Sequence, residues 1–158
     1  FNNIIFRRIG LILGHLGTAF MILGIGIVTS FSLEKEVLLS KGESYKLGEK
    51  TFSFKEINKS KRLNYSYKSA LIEIEGNGSK DNVSPEKRTY LSSNQVMTEA
   101  GIRPGILEDY YVTLGENING DKWSFKLQIK PFIRWIWFGA LLIAFGTLIS
   151  GYRLVKEK

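Results

Sequence analysis

The chain has 158 residues, of which 44% are hydrophobic and 23% charged, and it carries a formal net charge of +7 with no cysteine. The lack of Cys excludes a disulfide-stapled scaffold, zinc and iron–sulfur sites built on thiolates, and thiol redox chemistry. The mean hydropathy of -0.05 would suit a soluble globule. That average conceals a segregation, because the apolar residues are concentrated at the two ends of the chain.

Two apolar segments are long enough to cross a membrane. Residues 9–31 contain no formal charge, and residues 132–152 are interrupted only by Arg134. A helix of this length spans about 30–35 Å, which matches the hydrocarbon thickness of a bilayer. We therefore predict transmembrane helices at 9–31 and 131–152. The first is too long for a cleaved signal peptide and has no small-residue cleavage site at its end, so we expect it to be retained.

The short flanks of these helices carry the basic residues Arg7, Arg8, Arg153, Lys156 and Lys158. Positively charged flanks stay on the cytoplasmic side of a membrane, or on the matrix side in an organelle. We therefore expect cytoplasmic segments at 1–8 and 153–158, with residues 32–130 forming a domain in the periplasm. This organisation predicts a multi-pass protein of the bacterial inner membrane or of the mitochondrial inner membrane.

The segment between the helices is close to neutral. Residues 32–130 contain 16 Lys and Arg against 14 Asp and Glu, and the two signs interleave along the sequence. A nucleic-acid-binding domain would be expected to collect its positive charge on one face, together with stacking aromatic residues. The basic net charge therefore does not indicate a nucleic acid as partner.

The same segment has the pattern of β structure. Its clearest strand is 123–130, where apolar and polar residues alternate with period two, so that one face is buried and the other wet. Further short strands with Gly or Asn turns between them, including the hairpin dipeptide Asn119-Gly120, are predicted at 45–47, 51–54, 70–74 and 110–114. The polar stretch 76–83 is expected to be a loop. The predicted fold class is thus a membrane protein in which two transmembrane α-helices bracket a small antiparallel all-β extracytoplasmic domain, either a sandwich or a small open barrel.

His15 is the single histidine, and it lies inside the first predicted membrane helix. An ionisable residue at that depth usually faces a partner, a cavity or a cofactor. A neutral imidazole can ligate a metal, whereas an imidazolium would suffer desolvation. The residues alone leave two roles open for His15, a metal ligand or one partner of an interhelical hydrogen bond.

Helical geometry predicts that this segment has two distinct faces, one for helix contact and one that carries His15. Gly10, Gly14, Gly17 and Gly24 fall within about 40° of one line, and such a stripe permits close contact between helices. His15 projects about 140° away from Gly10. Its own face also carries residues that would leave room beside the imidazole for a flat group, namely Ala19, Ile22 and Gly26.

We find no catalytic constellation between the helices and assign no catalytic residue. There is no Gly-x-Ser-x-Gly, Walker-type or metal-ligand spacing, and Glu73 and Glu75 alternate with apolar residues, so both carboxylates are expected to face water. The charged clusters at 85–90 and 97–105 contain Arg and Lys that could hold carboxylates. Solvation at the surface is the simpler interpretation of both clusters.

Several short segments occur in an order and spacing that point to one family. They are Gly14-His15-Leu16-Gly17, Pro85-Glu86-Lys87-Arg88 with Tyr90, Met97-Thr98-Glu99-Ala100 with Ile102 and Pro104-Gly105, Leu114-Gly115-Glu116, and Lys130-Pro131-Phe132 with Arg134-Trp135 and Trp137. In these segments the chain resembles the CcmF family, a membrane haem lyase of the cytochrome c maturation machinery in bacteria and some mitochondria. The likeness covers nearly the whole chain and includes its topology.

The resemblance implies that the chain corresponds to the C-terminal part of such a lyase, from a split gene or as a piece of a longer protein. Members of the family take haem from the periplasmic haem chaperone CcmE and join it to the Cys-x-x-Cys-His of apocytochrome c, with CcmH as thiol-handling partner. The tryptophan-rich haem-handling segment, two periplasmic histidines and the first membrane histidine lie upstream of the residues present here. His15 matches the second membrane histidine, which implies an axial ligand of the iron of haem b.

Two functions of different classes follow from these observations. In the first, the chain is part of a haem lyase assembly and is inactive alone, contributing His15 to haem b and a periplasmic docking domain. The alternative is a non-catalytic, membrane-anchored binding or structural subunit. In that case the β domain docks a secreted partner, and His15 only bonds a neighbouring helix.

Overall fold

The computed structural model describes the backbone of residues 2–76 and 78–156 and the side chains of residues 8–76 and 78–152. Four of the basic side chains that predict the orientation lie outside this part, namely Arg7, Arg153, Lys156 and Lys158. The chain divides into two compact units. Phe1–Phe31 and Pro131–Lys158 form the first, and Ser32–Lys130 form the second.

The first unit consists of two helices, α1 (Asn2–Phe31) and α2 (Ile133–Lys156). Within them, Arg8–Phe31 and Ile133–Tyr152 are long and apolar enough to cross a membrane. Most of their large apolar side chains are exposed, among them Ile22, Leu141 and Phe145. Such an exterior suits a pair of helices surrounded by lipid rather than the core of a soluble protein.

Glycines bring α1 and α2 into close antiparallel contact. A Cβ added at Gly17 would lie 2.5 Å from the carbonyl oxygen of Gly139, and one added at Gly10 would lie 2.9 Å from that of Gly146. Small residues at such points let two helix backbones approach each other. Gly14 differs from the sequence expectation, because a Cβ built there meets nothing within 4 Å. The close-contact stripe therefore has a seven-residue spacing, and Gly14 lies at its margin.

The second unit is built of ten strands. They are β1 (Leu33–Ser40), β2 (Ser44–Leu47), β3 (Lys50–Lys61), β4 (Tyr65–Gly76), β5 (Ser79–Val83), β6 (Glu86–Tyr90), β7 (Val96–Glu99), β8 (Gly101–Arg103), β9 (Glu108–Asn117) and β10 (Lys122–Pro131). One sheet has the order β1-β10-β9-β8, and the other has the order β2-β3-β4-β6-β7, with β5 paired to β4. The two sheets form a sandwich, so the predicted fold class of two apolar helices bracketing an antiparallel β domain is confirmed.

The core of the sandwich lies between the inner faces of the two sheets. On β10 the alternation is as predicted, with the apolar residues Trp123, Phe125, Leu127 and Ile129 buried. Phe125 meets Phe54 of the opposite sheet at a ring distance of 4.9 Å. Burial of these side chains removes apolar surface from water and supplies the main stabilisation of the domain.

A β-bulge in β3 changes which residues face the core. Up to Phe54 the even-numbered residues point inward, and a register shift between Phe54 and Glu56 then places Ile57 opposite Ala70. Because side chains alternate along a strand, Lys59 rather than Asn58 follows Ile57 on the inner face. The bulge therefore places a lysine on the inner face at one end of the sandwich.

The expectation of a loop at 76–83 is wrong for most of that stretch. Ser79–Val83 is strand β5, which pairs with β4 from Gly76↔Ser79 to Ile72↔Val83. Val83 is buried in the core, and Asp81 accepts from the Nε of Arg103 at 2.8 Å. Pairing with β4 thus outweighs the low strand propensity of this polar segment, as it often does at a sheet edge.

Candidate functional site

His15 lies on the exposed side of α1, and its ring is held by its own helix. The ring nitrogen Nδ1 lies 2.8 Å from the carbonyl oxygen of Leu11, one turn earlier. A carbonyl oxygen can only accept, so Nδ1 carries the proton and donates. In a neutral ring this leaves the lone pair on Nε2, the nitrogen that points away from the helix backbone. That is the tautomer and arrangement found in histidines that ligate metals.

The space beside His15 is a groove between α1 and α2 with a volume of about 700 Å³. We call it the His15 groove; residues that line it include Gly14, His15, Thr18, Ala19, Thr147 and Ser150. Gly14 and Ala19 are small, so they leave the face of the imidazole open. Gly26, expected on the same face, does not line the groove. Of the residues expected beside His15, Ala19 and Ile22 therefore line the groove, and Gly14 lines it as well.

Two hydroxyl groups of this groove are already satisfied within their own helices. Thr18 donates to the carbonyl oxygen of Gly14 at 2.9 Å, and Thr147 donates to that of Ile143 at 2.8 Å. Among the described residues, no group of three or more His, Cys, Asp or Glu side chains could hold a metal ion. Through Nε2, His15 can supply a single imidazole ligand.

The two charged clusters predicted at 85–90 and 97–105 meet on the outer face of one sheet. Arg88 donates to Glu86 at 2.9 Å and to Glu99 of β7 at 3.2 Å. Its guanidinium also lies 5.1 Å from the centre of the Tyr65 ring. The clusters are thus paired with each other across β6 and β7, rather than separately solvated. Because Arg88 is neutralised by two carboxylates, it offers little charge to a ligand.

The expectation that Glu73 and Glu75 face water holds better for Glu75. Its side chain is 52% exposed, whereas that of Glu73 is 22% exposed and accepts from Lys55 at 2.8 Å. The Lys55 hydrogen bond lowers the pKa of Glu73. These carboxylates act as surface ion pairs.

The inner face of the five-strand path β2-β3-β4-β6-β7 ends in a row of lysines. Lys59 of β3 is directly opposite Lys68 of β4, which is directly opposite Lys87 of β6. Directly opposed residues of antiparallel strands share a face, so the three ammonium groups project to one side. We call Lys59, Lys68 and Lys87 the lysine ladder.

The lysine ladder lines a groove of about 320 Å³, to which Ser66, Thr89 and Glu116 also contribute. Lys87 donates to the carboxylate of Glu116, which comes from the end of β9. The positive charges of Lys87, through this hydrogen bond, and of Lys68 lower the pKa of Glu116. Lys68 lies with its Nζ 5.3 Å from the centre of the Trp123 ring. We call this site the lysine groove.

Sequence reasoning singled out His15 but missed the lysine groove. The sequence shows the signs of charge interleaving, but the strand pairing collects three like charges on one face. The bulge at Phe54/Glu56 adds Lys59 to that face, because it changes which residues of β3 point inward after Phe54. A period-two analysis of 66–74 would have placed Lys68 on the face of Ala70 and Ile72 and so could have signalled part of the groove.

Comparison with known proteins places the whole chain in one family. Residues 30–131 match the family described as the CcmF C-terminal beta-sandwich. The Haemophilus influenzae protein named cytochrome c-type biogenesis protein CcmF is 40% identical over 141 residues, covering 89% of this chain and 22% of the relative. The Escherichia coli protein of the same name is 36% identical, again over 89% of this chain and 22% of the relative.

A solved structure has the same fold. The protein titled cytochrome c heme lyase CcmF aligns with a TM-score of 0.73 at 22% sequence identity, over 91% of this chain and 24% of that chain. The present chain thus spans roughly a fifth to a quarter of the length of these relatives. Because residues 30–131, more than half of the chain, match the family model, the chain belongs to the CcmF family.

Proposed function

We propose that this chain is the C-terminal part of a haem lyase that serves cytochrome c maturation in the bacterial inner membrane. Support comes from membership of the CcmF family and from the names of its relatives, which describe cytochrome c-type biogenesis. The assembly would combine this chain with the remaining N-terminal part of the lyase. Its partners would be the haem chaperone CcmE, apocytochrome c and the thiol-handling protein CcmH.

Within this assembly His15 would hold the iron of a b-type haem through Nε2. The observation that carries the proposal is the bond between Nδ1 of His15 and the carbonyl oxygen of Leu11 at 2.8 Å. It fixes the tautomer and turns Nε2 outward, as backbone acceptors do behind metal-ligating histidines. The open groove beside Gly14 and Ala19 gives space for the edge of a flat macrocycle.

The chain supplies one such ligand, so the second axial ligand would come from another membrane helix of the assembly. For the same reason we expect the chain to be inactive alone. The bound haem would supply one-electron transfer within the membrane. The residues of this chain orient the imidazole through Leu11 and keep nearby hydroxyl groups satisfied through Gly14 and Ile143, so that they do not compete for Nε2.

The topology completes the proposal. The segments 1–8 and 153–158 would be cytoplasmic, the helices at 9–31 and 131–152 would span the membrane, and the domain at 32–130 would lie in the periplasm. The sandwich would then be a docking domain on the side where haem passes from the chaperone to the apocytochrome.

The His15 ligand is tested in the complete assembly, with the N-terminal part of the lyase co-expressed. We expect both His15→Ala and His15→Gln to remove the reduced-minus-oxidised b-type spectrum while the protein stays inserted and abundant, because neither side chain provides an imidazole. Thr18→Val, which alters the same groove without a ligand, should keep the spectrum. Loss in His15→Ala with recovery in His15→Gln would assign His15 a hydrogen-bonding role. An unchanged spectrum in both variants would exclude it as a ligand.

The alternative function, a binding or structural subunit without haem, requires His15 to bond a neighbouring helix. The hydrogen bond described for His15 goes to its own helix. That bond leaves Nε2 available for either role, and the two His15 variants distinguish between them.

A further inference from the structure

The lysine ladder is unusual because it places like charges directly opposite one another. Lys59↔Lys68 and Lys68↔Lys87 are successive cross-strand pairs, and directly opposed like charges destabilise a sheet. Neighbouring strands lie about 4.7–4.9 Å apart, so the three lysines project from adjacent positions of the sheet. A fold that retains this repulsion gains from an anion that relieves it.

The carboxylates of the domain neutralise little of the positive charge of the lysine ladder. Several other cations of the domain are paired: Lys55 with Glu73, Lys126 with Glu34, and Arg103 with Asp81. In the lysine groove, the ion pairs among the described residues include one carboxylate, that of Glu116 on Lys87. Lys59 and Lys68 are exposed and take part in none of these ion pairs.

We propose that the lysine groove binds an acidic peptide segment of a protein partner, whose carboxylates lie along Lys59, Lys68 and Lys87. Glu116 is an example of the proposed contact, because its carboxylate already accepts a hydrogen bond from Lys87, one of the three lysines. Its side chain is 76% exposed, so an incoming carboxylate can displace it from Lys87. The site is independent of His15 and would stand if His15 bound no haem.

The shape and lining of the groove favour an acidic peptide over other anions. A volume of about 320 Å³ accepts a few side chains rather than a folded domain. The hydroxyl groups of Ser66 and Thr89 stand beside the lysines and can donate to carboxylate oxygens or to a peptide backbone. Val96 provides an apolar contact at the margin. An extended segment with acidic residues at alternate positions presents its carboxylates on one side, as the ladder requires.

The test measures binding of a fluorescein-labelled peptide of alternating Glu and Ser to the full chain in neutral detergent, by fluorescence anisotropy. The Lys59→Gln/Lys68→Gln variant should bind about tenfold more weakly, since two of three charge-assisted contacts are lost. The matched control Lys46→Gln/Lys122→Gln removes two exposed lysines outside the groove and should change the affinity less than about twofold. A peptide with Gln in place of Glu should not bind.

A second variant tests the same proposal through an expected gain in affinity for the peptide. Glu116→Gln frees Lys87, so it should bind the acidic peptide more tightly than the unchanged chain. Equal weakening by both lysine pairs would overturn the proposal in favour of non-specific attraction, and so would equal binding of the Gln peptide. Binding of phosphatidylglycerol vesicles through Lys59 and Lys68 without peptide binding would assign the groove to lipid and overturn it too. None of these readouts involves haem, so they are separate from the test of His15.

Discussion

Three carboxylates of the β domain have pKa values lowered by a lysine partner. The cause is chiefly a hydrogen bond from Lys126 to Glu34, from Lys55 to Glu73, and from Lys87 to Glu116. Each carboxyl group therefore binds its proton less readily in the folded domain than in the unfolded chain. The stabilisation is fully present above the ordinary pKa of 4.5 and is lost as the pH falls through the lowered folded value.

We predict that Glu116→Gln removes part of this pH dependence. In the unchanged chain the melting temperature of the domain should fall as the pH is lowered below about 4.5, and the variant should show a shallower fall. Because Glu116 is largely exposed, the pair is worth no more than about 1 kcal/mol after screening by solvent. Thermal unfolding followed by tryptophan fluorescence between pH 7 and pH 3 measures the effect.

The control is Glu49→Gln, which removes an exposed carboxylate that takes part in no ion pair among the described residues. It should leave the slope of melting temperature against pH close to that of the unchanged chain. Identical slopes for Glu116→Gln and the unchanged chain would show that the Lys87 contact contributes nothing to folding.

Individual residues differ in how far the sequence reveals them. His15 could be singled out because a lone imidazole in an apolar helix is conspicuous, and the family resemblance implies the role proposed for it. The bond to Leu11 could also have been expected, since residues four apart adjoin on a helix. Lys59 and Lys87 could not be associated in this way. They are 28 positions apart, and only the strand order brings them to one face.

The two helices are held together by glycines at which a side chain has no room. A Cβ at Gly17 would lie 2.5 Å from a carbonyl oxygen and 2.9 Å from the amide nitrogen of Ile143, both backbone atoms of α2. A Cβ at Gly26 would meet nothing within 4 Å. The same Gly→Ala change should therefore act in opposite directions at these two positions.

We predict that Gly17→Ala lowers the thermal stability of the helix pair and that Gly26→Ala raises it. Alanine at an open helical position gains about 0.5–1 kcal/mol over glycine from the lower entropy of the unfolded chain. At Gly17 that gain is outweighed, because the helices must separate to admit the methyl group. Circular dichroism at 222 nm during heating in detergent measures both effects. Shifts of the same sign would contradict the close packing at Gly17.

Among the strands, the apolar and polar alternation of the sequence predicted the structure best where one face is fully buried. On β10 the alternation from Trp123 to Ile129 is complete, and the prediction of a strand at 123–130 falls one residue short at each end. It failed for β5, where Ser79, Lys80 and Asn82 are exposed and only Val83 enters the core. An edge strand of this kind is specified by its partner β4 and not by its own composition.

At the scale of the whole molecule, the two units differ in where their large apolar side chains lie. The helix pair presents large apolar side chains such as Leu23 and Leu148, each more than 60% exposed, whereas the sandwich buries residues of the same type completely. The sequence shows this division because the apolar stretches at 9–31 and 132–152 are uninterrupted by acidic residues. It does not show which sheets form, since sheet order depends on pairings between distant strands.

The proposed orientation makes a prediction that suits this chain, which has no natural cysteine to replace. Ser92 lies exposed in the turn between β6 and β7, and Lys158 is the last residue. Because the short basic flanks should stay in the cytoplasm, Ser92→Cys should react with a membrane-impermeant maleimide in intact spheroplasts. Lys158→Cys should react only after permeabilisation. Val112→Cys, at a fully buried core position, should stay unlabelled in both conditions and so reports that the sandwich is folded. Reaction of Ser92→Cys and Lys158→Cys from the same side of the membrane would refute the orientation and with it the docking of periplasmic partners on the sandwich.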